Sequence, residues 1–543
     1  MIPPPDGTAP LVTIGEGPLA LDQLAEVALG RARVALSSTP SFREAVERSQ
    51  QALLLAVEGG APVYGVTTGF GRACGNRVAP QHSSQLGGNL ILYHGCGSGE
   101  PLGEAEVRGA LLCRLLCFAR GYSSVSWALL EQLAAFLNEG ITPVVPAQGS
   151  VGASGDLTPM SYVAAALAGE REVLHRGRRV PAAEALRSVG LAPYRFGAKE
   201  PLALLNGTPI MTGIAIVVLE RARRLLAAAT AGTALAVHGL AGHAHHFHPA
   251  LFAAKPFPGS QATAARLRRL LANGPSGIGT PHESGAAAAL QDPYSLRCAP
   301  QILGVLEDAL TWIVQWVECE ANSANDNPLL DPHSGEVLMG GNFYGGHIGF
   351  AMDALKTALS SVADMADRQI ALLVDTRFNR GLPADLVAAS DNPHLVHHGF
   401  KALQITASAL TAEALQGCLP ATLFSRSTEA HNQDKVSMGT IAARDARRVC
   451  SLATRVVAAQ LIVAAQAAEL RGALARRPAL SPLLQAIRAL SPPLHMDRPL
   501  DGELARLAAA IADGSLQVQP QPHAQPHAQP HAQPHAQPQP QPH

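Results

Sequence analysis

The chain lacks an excess of charge of either sign, because 41 Lys and Arg residues face 42 Asp and Glu residues and leave a formal net charge of −1. Proteins that bind nucleic acid or anionic membranes usually depend on a basic surplus, so we expect neither kind of partner. Long apolar runs are also missing, since the Ala-rich stretch 225–237 is shorter than the roughly 20 residues that span a bilayer. The composition favours a small, nearly neutral ligand and predicts no membrane span.

Cysteine is scarce and scattered along the chain. Of the eight cysteines, only Cys113 and Cys117 share a helical face, and no second ligand pair lies nearby in the sequence to complete a zinc site. We therefore expect reduced thiols and no metal. The stretch Met1–Pro10 has three consecutive prolines and no basic segment leading into an apolar one, so it does not resemble a secretory signal. A cytoplasmic location is expected.

Helix-forming residues are what the chain has in abundance. From about Leu102 onward, Ala, Leu, Arg and Glu dominate long stretches without proline. High helix propensity over such lengths predicts long helices packed side by side in a bundle. The predicted fold class is therefore mostly α. The clearest helical stretches are residues 210–239, 301–321, 347–374 and 435–474.

Glycine and proline concentrate in a few segments, which we interpret as joints between helices. Joints carry chemistry more often than helix interiors do. Residues 517–543 repeat Gln, Pro, His and Ala, a composition that forms no core and predicts an extended, solvated tail without a part in any reaction. We predict an N-terminal region over residues 1–205, a helical bundle over 206–516, and the tail. The joints are residues 63–75, 95–103, 142–159, 274–285 and 322–346.

The most informative motif is GSVGASGD at residues 149–156. A loop this rich in Gly and Ser bends tightly, and Gly155 has no Cβ to keep its nitrogen away from the carbonyl carbon of Ala153. If that nitrogen attacks the carbonyl and Ser154 then loses its hydroxyl as water, a five-membered imidazolone with an exocyclic methylidene results. Such a group is a strong electrophile, which no unmodified side chain provides. The tripeptide alone is a weak signal, because a Gly/Ser turn before a helix is common.

Further motifs accompany the tripeptide along the chain. They are YGVTTGFG at 64–71, NGT at 206–208, QDPYSLR at 291–297, NDNP at 325–328, GNF at 341–343 and HNQD at 431–434. With these motifs the sequence resembles the aromatic amino acid ammonia-lyases, a family that comprises histidine, phenylalanine and tyrosine ammonia-lyases and related aminomutases. The resemblance runs from about Tyr64 to Leu470 and covers most of the folded chain.

The resemblance implies a 4-methylideneimidazole-5-one (MIO) group formed autocatalytically from Ala153, Ser154 and Gly155, with no metal and no external cofactor. It also implies a long helical bundle of the ammonia-lyase and fumarase type, with a smaller N-terminal mixed region that carries the MIO loop. Members form homotetramers whose active sites draw on more than one subunit. The implied reaction is the non-oxidative elimination of ammonia from a small-molecule aromatic L-amino acid.

The matched motifs suggest roles for single residues. Tyr64 is expected to remove the substrate's β-proton, which requires a site that stabilises phenolate because an ordinary tyrosine has a pKa of about 10. Arg297 offers a bidentate fork for the substrate carboxylate. Tyr294 shares a face with Arg297 if the segment is helical, and by resemblance it lines the site near the methylidene. Also by resemblance, Asn206 bonds the modified ring and the substrate, and Phe343 packs near the electrophile.

Two places are expected to read the substrate's side chain. At Tyr93-His94 the histidine enzymes usually show Ser-His, the phenylalanine enzymes Phe-Leu and the tyrosine enzymes often His-Leu, so this chain matches none of them. The polar tips of both residues suit a phenol better than a bare phenyl ring, because burying them unpaired costs about 1 to 3 kcal/mol each. At Gln433 histidine enzymes typically carry glutamate, and Asn432-Gln433-Asp434 resembles the tyrosine and phenylalanine branches.

Other features resemble the histidine enzymes, namely YSLRC at 294–298, VSM at 436–438 and His94. We therefore predict L-tyrosine as substrate first, giving trans-4-coumarate, L-histidine second, giving urocanate, and a tyrosine 2,3-aminomutase third. Fumarases and argininosuccinate lyases share a related bundle, but their Gly-Ser-Ser-x-Met-Pro-x-Lys signature is missing from this sequence. A non-catalytic protein is the remaining alternative, and it predicts loss of Ser154, Tyr64 or Arg297, all of which are present.

Overall fold

The computed structural model describes residues 7–272, 291–388, 396–472 and 477–516, together with residues 2 and 5. The predicted tail and the predicted joint at 274–285 lie outside the described residues. Helices dominate the described chain, which confirms the predicted mostly α fold. They are α1 (Leu21–Ala28), α2 (Pro40–Glu58), α3 (Ser83–Tyr93), α4 (Glu104–Ala119), α5 (Trp127–Asn138), α6 (Leu157–Leu167), α7 (Ala182–Ser188), α8 (Glu200–Leu205), α9 (Pro209–Gly239), α10 (Pro249–Ala254), α11 (Pro258–Leu270), α12 (Tyr294–Arg297), α13 (Ala299–Ala321), α14 (Gly346–Val374), α15 (Lys401–Gln416), α16 (Gly439–Arg471), α17 (Ser481–Leu490) and α18 (Asp501–Asp513).

The strands are short and lie mostly before α8, in agreement with a smaller mixed region at the N-terminal side. β1 and β2 pair in parallel, with Val12 opposite Val34, whereas the other pairings are antiparallel. The sheet orders are β1-β2, β3-β5, β4-β6-β7 and β8-β9. The strands are β1 (Leu11–Ile14), β2 (Arg33–Leu36), β3 (Ser98–Pro101), β4 (Thr142–Pro143), β5 (Pro146–Gln148), β6 (Glu172–His175), β7 (Arg178–Pro181), β8 (Leu329–Leu330) and β9 (Val337–Leu338).

The long helices α9, α14 and α16 pack together at the centre of the bundle. Small residues let their neighbours approach closely: a Cβ at Gly213 of α9 would lie 2.5 Å from the Ala110 nitrogen of α4, so only glycine permits this crossing. Helix α16 is long and apolar enough to cross a membrane, but 89% of its most apolar stretch is buried inside the protein. That burial is typical of a core helix.

A single apolar cluster contains residues from both sides of the predicted boundary at residues 205 and 206, such as Leu115 of α4 and Leu219 of α9. The domain division therefore stays a prediction.

The fold positions the site by bringing helix starts together. Gly345, just before α14, and Gly439, the first residue of α16, both pack on Met211 in the first turn of α9.

Candidate active site

The loop before α6 turns back sharply at the predicted tripeptide. Ser154 and Gly155 take left-handed backbone angles, with φ of +52° and +78°. The Gly207 amide donates to the Ser154 carbonyl oxygen at 3.0 Å, and the Asp156 amide donates to the Gly207 carbonyl oxygen at 2.6 Å. A Cβ at position 155 would collide with that Gly207 oxygen. The chain is therefore tightly folded at the residues that ring closure requires, and only glycine fits at position 155.

Asp156 is a buried carboxylate that joins this loop to the starts of two long helices. Its oxygens accept hydrogen bonds from the Thr440 hydroxyl of α16, from the Met211 amide of α9 at 3.0 Å and from the Ser150 hydroxyl at 3.3 Å. Burial raises the pKa of Asp156 to about 6, although these donors act in the opposite direction. Helix N-termini carry partial positive charge, so both helices stabilise the anion and hold the loop in place.

Gln433 contacts Ser154 directly. Its Nε2 donates to Ser154 Oγ at 3.0 Å, and its Oε1 accepts from the hydroxyl of Thr428 at 3.0 Å. Thr428 and Gln433 also pair through their backbones, which closes a tight turn. The intervening residues 429–431 all have positive φ, a strained conformation for residues that have a Cβ. Thr428 thus fixes which end of the Gln433 amide faces Ser154.

Tyr64 lies on the loop opposite Gln433. Its phenol oxygen accepts a hydrogen bond from the Gly71 amide at 2.8 Å. The Glu429 carboxylate accepts one from the Arg72 amide at 3.0 Å, which joins the Tyr64 loop to the Gln433 loop. Burial raises the pKa of Tyr64 above its ordinary value, the nearby Glu429 adds to the rise, and the Gly71 amide offsets part of it. The single chain therefore does not provide the phenolate-stabilising environment that the sequence reasoning required.

A cavity of about 570 Å³ lies over the tripeptide. Seven of the predicted residues line it: Tyr64, Ala153, Ser154, Asn206, Phe343, Asn432 and Gln433. The Oδ1 atom of Asn206 is buried and has no hydrogen-bond partner among the described residues. A buried acceptor without a partner is costly, so it indicates a site for a donor group of a ligand.

Tyr93 and His94 end helix α3, near the Tyr64 loop. Their rings lie 4.6 Å apart between centroids. Burial, with smaller effects of Tyr64 and Glu429, raises the pKa of Tyr93 to about 12, and burial lowers the pKa of His94 to about 4. Both tips are therefore uncharged at neutral pH. Their burial is only partial, since Tyr93 is 56% exposed, and neither residue is among those that line the cavity over the tripeptide.

Tyr294 and Arg297 lie elsewhere in the chain. They line a second cavity, of about 440 Å³, and the Arg297 guanidinium carbon lies 4.6 Å from the centroid of the Tyr294 ring. Their helix α12 is tied to the far end of α14 by Gln369, which donates to the Ser295 carbonyl at 2.8 Å. Tyr344, just before α14, lines the Ser154 cavity, and α14 rises by about 35 Å between Gly346 and Gln369. The second cavity therefore lies toward the opposite end of α14. Tyr294 and Arg297 lie on the same face of α12, as predicted, but neither residue lines the Ser154 cavity.

Comparisons with known proteins show the family to which the chain belongs. The model of the family "Aromatic amino acid lyase" matches residues 19–489. The chain belongs to this family. It is 39% identical over 498 residues to a histidine ammonia-lyase of Gloeobacter violaceus, covering 92% of this chain and 95% of that one. It is 38% identical over 517 residues to a tyrosine ammonia-lyase of Cupriavidus metallidurans, again covering 92% and 95% of the two chains.

Solved structures of this family have the same fold. A tyrosine aminomutase of Streptomyces globisporus superimposes with a TM-score of 0.86 at 35% identity, over 94% of this chain and 98% of that one. A histidine ammonia-lyase of Trypanosoma cruzi superimposes with a TM-score of 0.84 at 29% identity, over 93% of this chain and 94% of that one. The chain is therefore similar to ammonia-lyases and to aminomutases alike.

Sequence reasoning missed several residues around the tripeptide. Thr428 and Glu429 precede the HNQD motif but carry no spacing signal, because their contacts depend on the strained turn between them and Gln433. Asp156 stood inside the tripeptide motif, yet its bonds to two helix starts are tertiary. Arg114 could have been noticed, since it is a charged residue within the apolar run 110–118. Charge inside such a run signals a buried partner.

Proposed function

We propose that this lyase eliminates ammonia from an aromatic L-amino acid, with L-tyrosine as the preferred substrate and trans-4-coumarate as the product. The observation that carries the proposal is the convergence of Tyr64, Asn206 and Gln433 on a tightly turned Ala153-Ser154-Gly155 loop. A base, a ring-binding amide and the source of an electrophile thus border one cavity. That combination suits the removal of a β-proton and an amine from neighbouring carbons.

We further propose that Ala153, Ser154 and Gly155 mature into the MIO group. The fit rests on the left-handed backbone at Ser154 and Gly155, the steric requirement for glycine at 155, and the unpartnered acceptor of Asn206. When formed, the group supplies an electrophile that converts the substrate's amine into a better leaving group. Helices α9 and α16 direct their positive ends at the loop, which favours negative charge there.

The other residues bind and orient the substrate. Tyr64 is the proposed base for the β-proton, and since its pKa is raised within one chain, a cation has to lie close to it in the working site. Arg297 is the proposed partner of the substrate carboxylate. Because Tyr294 and Arg297 line a separate cavity toward the other end of α14, we propose that a second copy supplies them to the site at Ser154. The homotetramer and the cytoplasmic location expected from the sequence belong to this proposal.

The preference for a phenol rests on neutral groups. Gln433 presents an amide where histidine enzymes typically carry a carboxylate, and Thr428 holds its NH₂ end toward Ser154. His94 has a pKa of about 4 and is an uncharged hydrogen-bonding group at neutral pH. Neutral donors and acceptors can pair with a phenol hydroxyl. An imidazolium would lack the charge-assisted contact that a carboxylate at position 433 provides in histidine enzymes.

The test is an ultraviolet assay of the purified enzyme with tyrosine, histidine and phenylalanine supplied separately. We expect coumarate to form fastest. Urocanate as the faster product would replace the phenol assignment with a histidine ammonia-lyase, and accumulation of β-tyrosine would assign a tyrosine 2,3-aminomutase. A chain with the mass of the unmodified polypeptide and no product from any substrate would overturn the MIO proposal.

Histidine is the second candidate substrate. The segments 294–298 and 436–438 resemble histidine enzymes, and the relative from Gloeobacter violaceus is a histidine ammonia-lyase. The variant Gln433→Glu tests it, because a carboxylate at this position would pair with an imidazole. If histidine is a secondary substrate, this change should raise its kcat/KM relative to that of tyrosine.

A further inference from the structure

Arg114 is a fully buried cation behind the Asn206–Gly207 peptide. It lies on α4, and its Nη2 donates to the Asn206 carbonyl oxygen at 2.8 Å. Its Nη1 lies 3.5 Å from Cys117 Sγ, and its Nε has no hydrogen-bond partner among the described residues. A guanidinium held out of water by neutral partners is costly to bury. Its position therefore points to a role beyond packing.

The buried carboxylate near Arg114 is that of Asp326, and it is paired with Lys199. Asp326 accepts hydrogen bonds from Lys199 Nζ at 2.7 Å and from the Ser123 hydroxyl at 2.8 Å, and the side chains of Asp326 and Lys199 are fully buried. Asp326 also contacts Cys117, which links it to Arg114 only through a thiol. The Arg114 guanidinium carbon also lies 5.5 Å from the centroid of the Phe118 ring, and the carbonyl oxygen to which the guanidinium donates is that of Asn206.

The Asn206–Gly207 peptide connects Arg114 to the tripeptide. Its carbonyl oxygen accepts from Arg114, and its N–H, on Gly207, donates to the carbonyl oxygen of Ser154 at 3.0 Å. A Cβ at Gly207 would lie 2.7 Å from Arg114 Nη2, so glycine keeps the peptide against the guanidinium. Hydrogen bonds in series polarise each other, and a charged donor at one end strengthens the next bond.

The Ser154 carbonyl is the oxygen at which this polarisation matters. In the proposed MIO group it is conjugated with the Cα=Cβ double bond of Ser154. When a nucleophile bonds to Cβ, the π pair of that double bond moves toward the carbonyl oxygen, where negative charge develops opposite the Gly207 N–H. During maturation the same carbonyl acidifies the Ser154 Cα proton, which leaves with the Oγ hydroxyl as water.

We propose that Arg114 is a positioning residue that polarises the Ser154 carbonyl through the Asn206–Gly207 peptide and so sets the reactivity of the electrophile. This rests on the proposed function, because it requires the MIO group. It gives a role in the reaction to a side chain on a helix interior that does not line the substrate cavity.

The experiment compares Arg114→Gln, Arg114→Met and Arg114→Lys with the control Arg108→Met in the full-length protein. Arg108 is also buried on α4 and also donates to backbone carbonyls, those of Leu137 at 2.9 Å and Val27 at 3.0 Å, which belong to other segments. Intact mass gives the fraction of chains that have lost two waters. The second-order rate at which cyanide bleaches the near-ultraviolet absorbance, per matured site, measures the electrophile without any substrate turnover.

We expect Arg114→Gln and Arg114→Met to react with cyanide about tenfold more slowly than the wild type, since loss of a direct oxyanion donor costs about 100-fold or more and this effect acts through a peptide. Arg114→Lys keeps the charge and should stay within about threefold. Arg108→Met should lose thermal stability but keep the wild-type rate. A folded neutral variant that keeps the unmodified mass, beside a matured Arg108→Met, also supports the proposal.

Wild-type rates per matured site in both neutral variants would overturn the inference while leaving the proposed function intact. It is also overturned if neither neutral variant folds while Arg108→Met does, because Arg114 would then be needed for folding alone. A wild-type chain that itself keeps the unmodified mass would mean that the proposed function has failed, which is a separate result.

Discussion

The two ends of the long helices differ in how completely one chain builds them. At the Ser154 end, the tripeptide is held by the Gly207 backbone, by Gln433 and, through Asp156, by two helix starts. At the Arg297 end, about 35 Å away along α14, Tyr294 is 70% exposed and contacts Arg297 through a cation–π interaction. The Ser154 end is a pocket wall whose residues are held by contacts within one chain. The Arg297 end is a surface from which side chains are exposed.

The exposed end is nonetheless fixed. Asp292 is buried and accepts hydrogen bonds from Arg380 at 2.7 Å and from the His243 amide at 2.6 Å, so the segment that leads into α12 is anchored to the bundle. Tyr294 and Arg297 are thus displayed from a rigid base. The difference is the basis of the proposal that one chain preorganises half of a site internally and offers the other half to a second copy.

Removal of the Ser154 hydroxyl should have the largest effect. In Ser154→Ala no methylidene can form, so the covalent route disappears and activity should fall by about a thousandfold or more. Intact mass should show no loss of the second water. Activity within tenfold of the wild type would contradict the proposal that Ser154 is a source of the electrophile.

The comparison of the two ends is tested most directly by mixing two kinds of chain, each of which lacks one of the two residues. Arg297→Met should raise KM about 100-fold by removing the bidentate partner of the carboxylate. Co-expressed Ser154→Ala and Arg297→Met chains should regain up to about a quarter of wild-type sites, because random assembly pairs an intact Ser154 with an intact Arg297 of another copy.

The control for this mixture is a chain that carries both substitutions, co-expressed with either single variant. In such a mixture either Ser154 or Arg297 is missing from every chain, so no site can contain both residues however the chains assemble, and activity should not rise above that of the single variant. Failure of the first mixture to regain activity, despite mixed oligomers by native mass spectrometry, would place both ends in one chain's own site.

A smaller effect is expected where Thr428 orients Gln433. Thr428→Val removes the hydroxyl that donates to Gln433 Oε1 while keeping the shape, and Thr428→Ser keeps the hydroxyl. One neutral hydrogen bond contributes about 1 kcal/mol, so kcat/KM for tyrosine should fall about fivefold in Thr428→Val and little in Thr428→Ser. Equal activities of the two variants would show that the Gln433 orientation does not depend on Thr428.

The smallest effect concerns His94 and stability. Because burial lowers its folded pKa to about 4, the folded state disfavours the proton that the unfolded chain takes up below about pH 6.5, and stability is lost as pH falls through this window. His94→Gln removes this contribution. The drop in Tm between pH 7 and pH 5 should therefore be smaller in His94→Gln than in the wild type. An equal drop would mean that partial burial does not lower the pKa of His94.

Much of the fold and of the candidate site could be predicted from the sequence, because helix propensity and short motifs depend on residues close together along the chain. Helix propensity and the lack of proline predicted the stretches that became α9, α13, α14 and α16 to within a few residues. The motifs at Tyr64, Asn206 and Gln433 were predicted to belong with residues 153–155, and they line one cavity. The environment of Tyr64 was predicted less well, since its raised pKa depends on burial.

The sequence by itself determined the helices, the tight loop at Ser154 and the residue types of the site, because these depend on neighbours along the chain. Only the tertiary structure decided that Arg297 lies far from Ser154, that Thr428 turns Gln433 toward Ser154, and that Arg114 lies behind the Asn206–Gly207 peptide. The physical reason is that such contacts join residues distant in sequence. Their geometry follows from how helices of fixed rise pack, and no single segment encodes it.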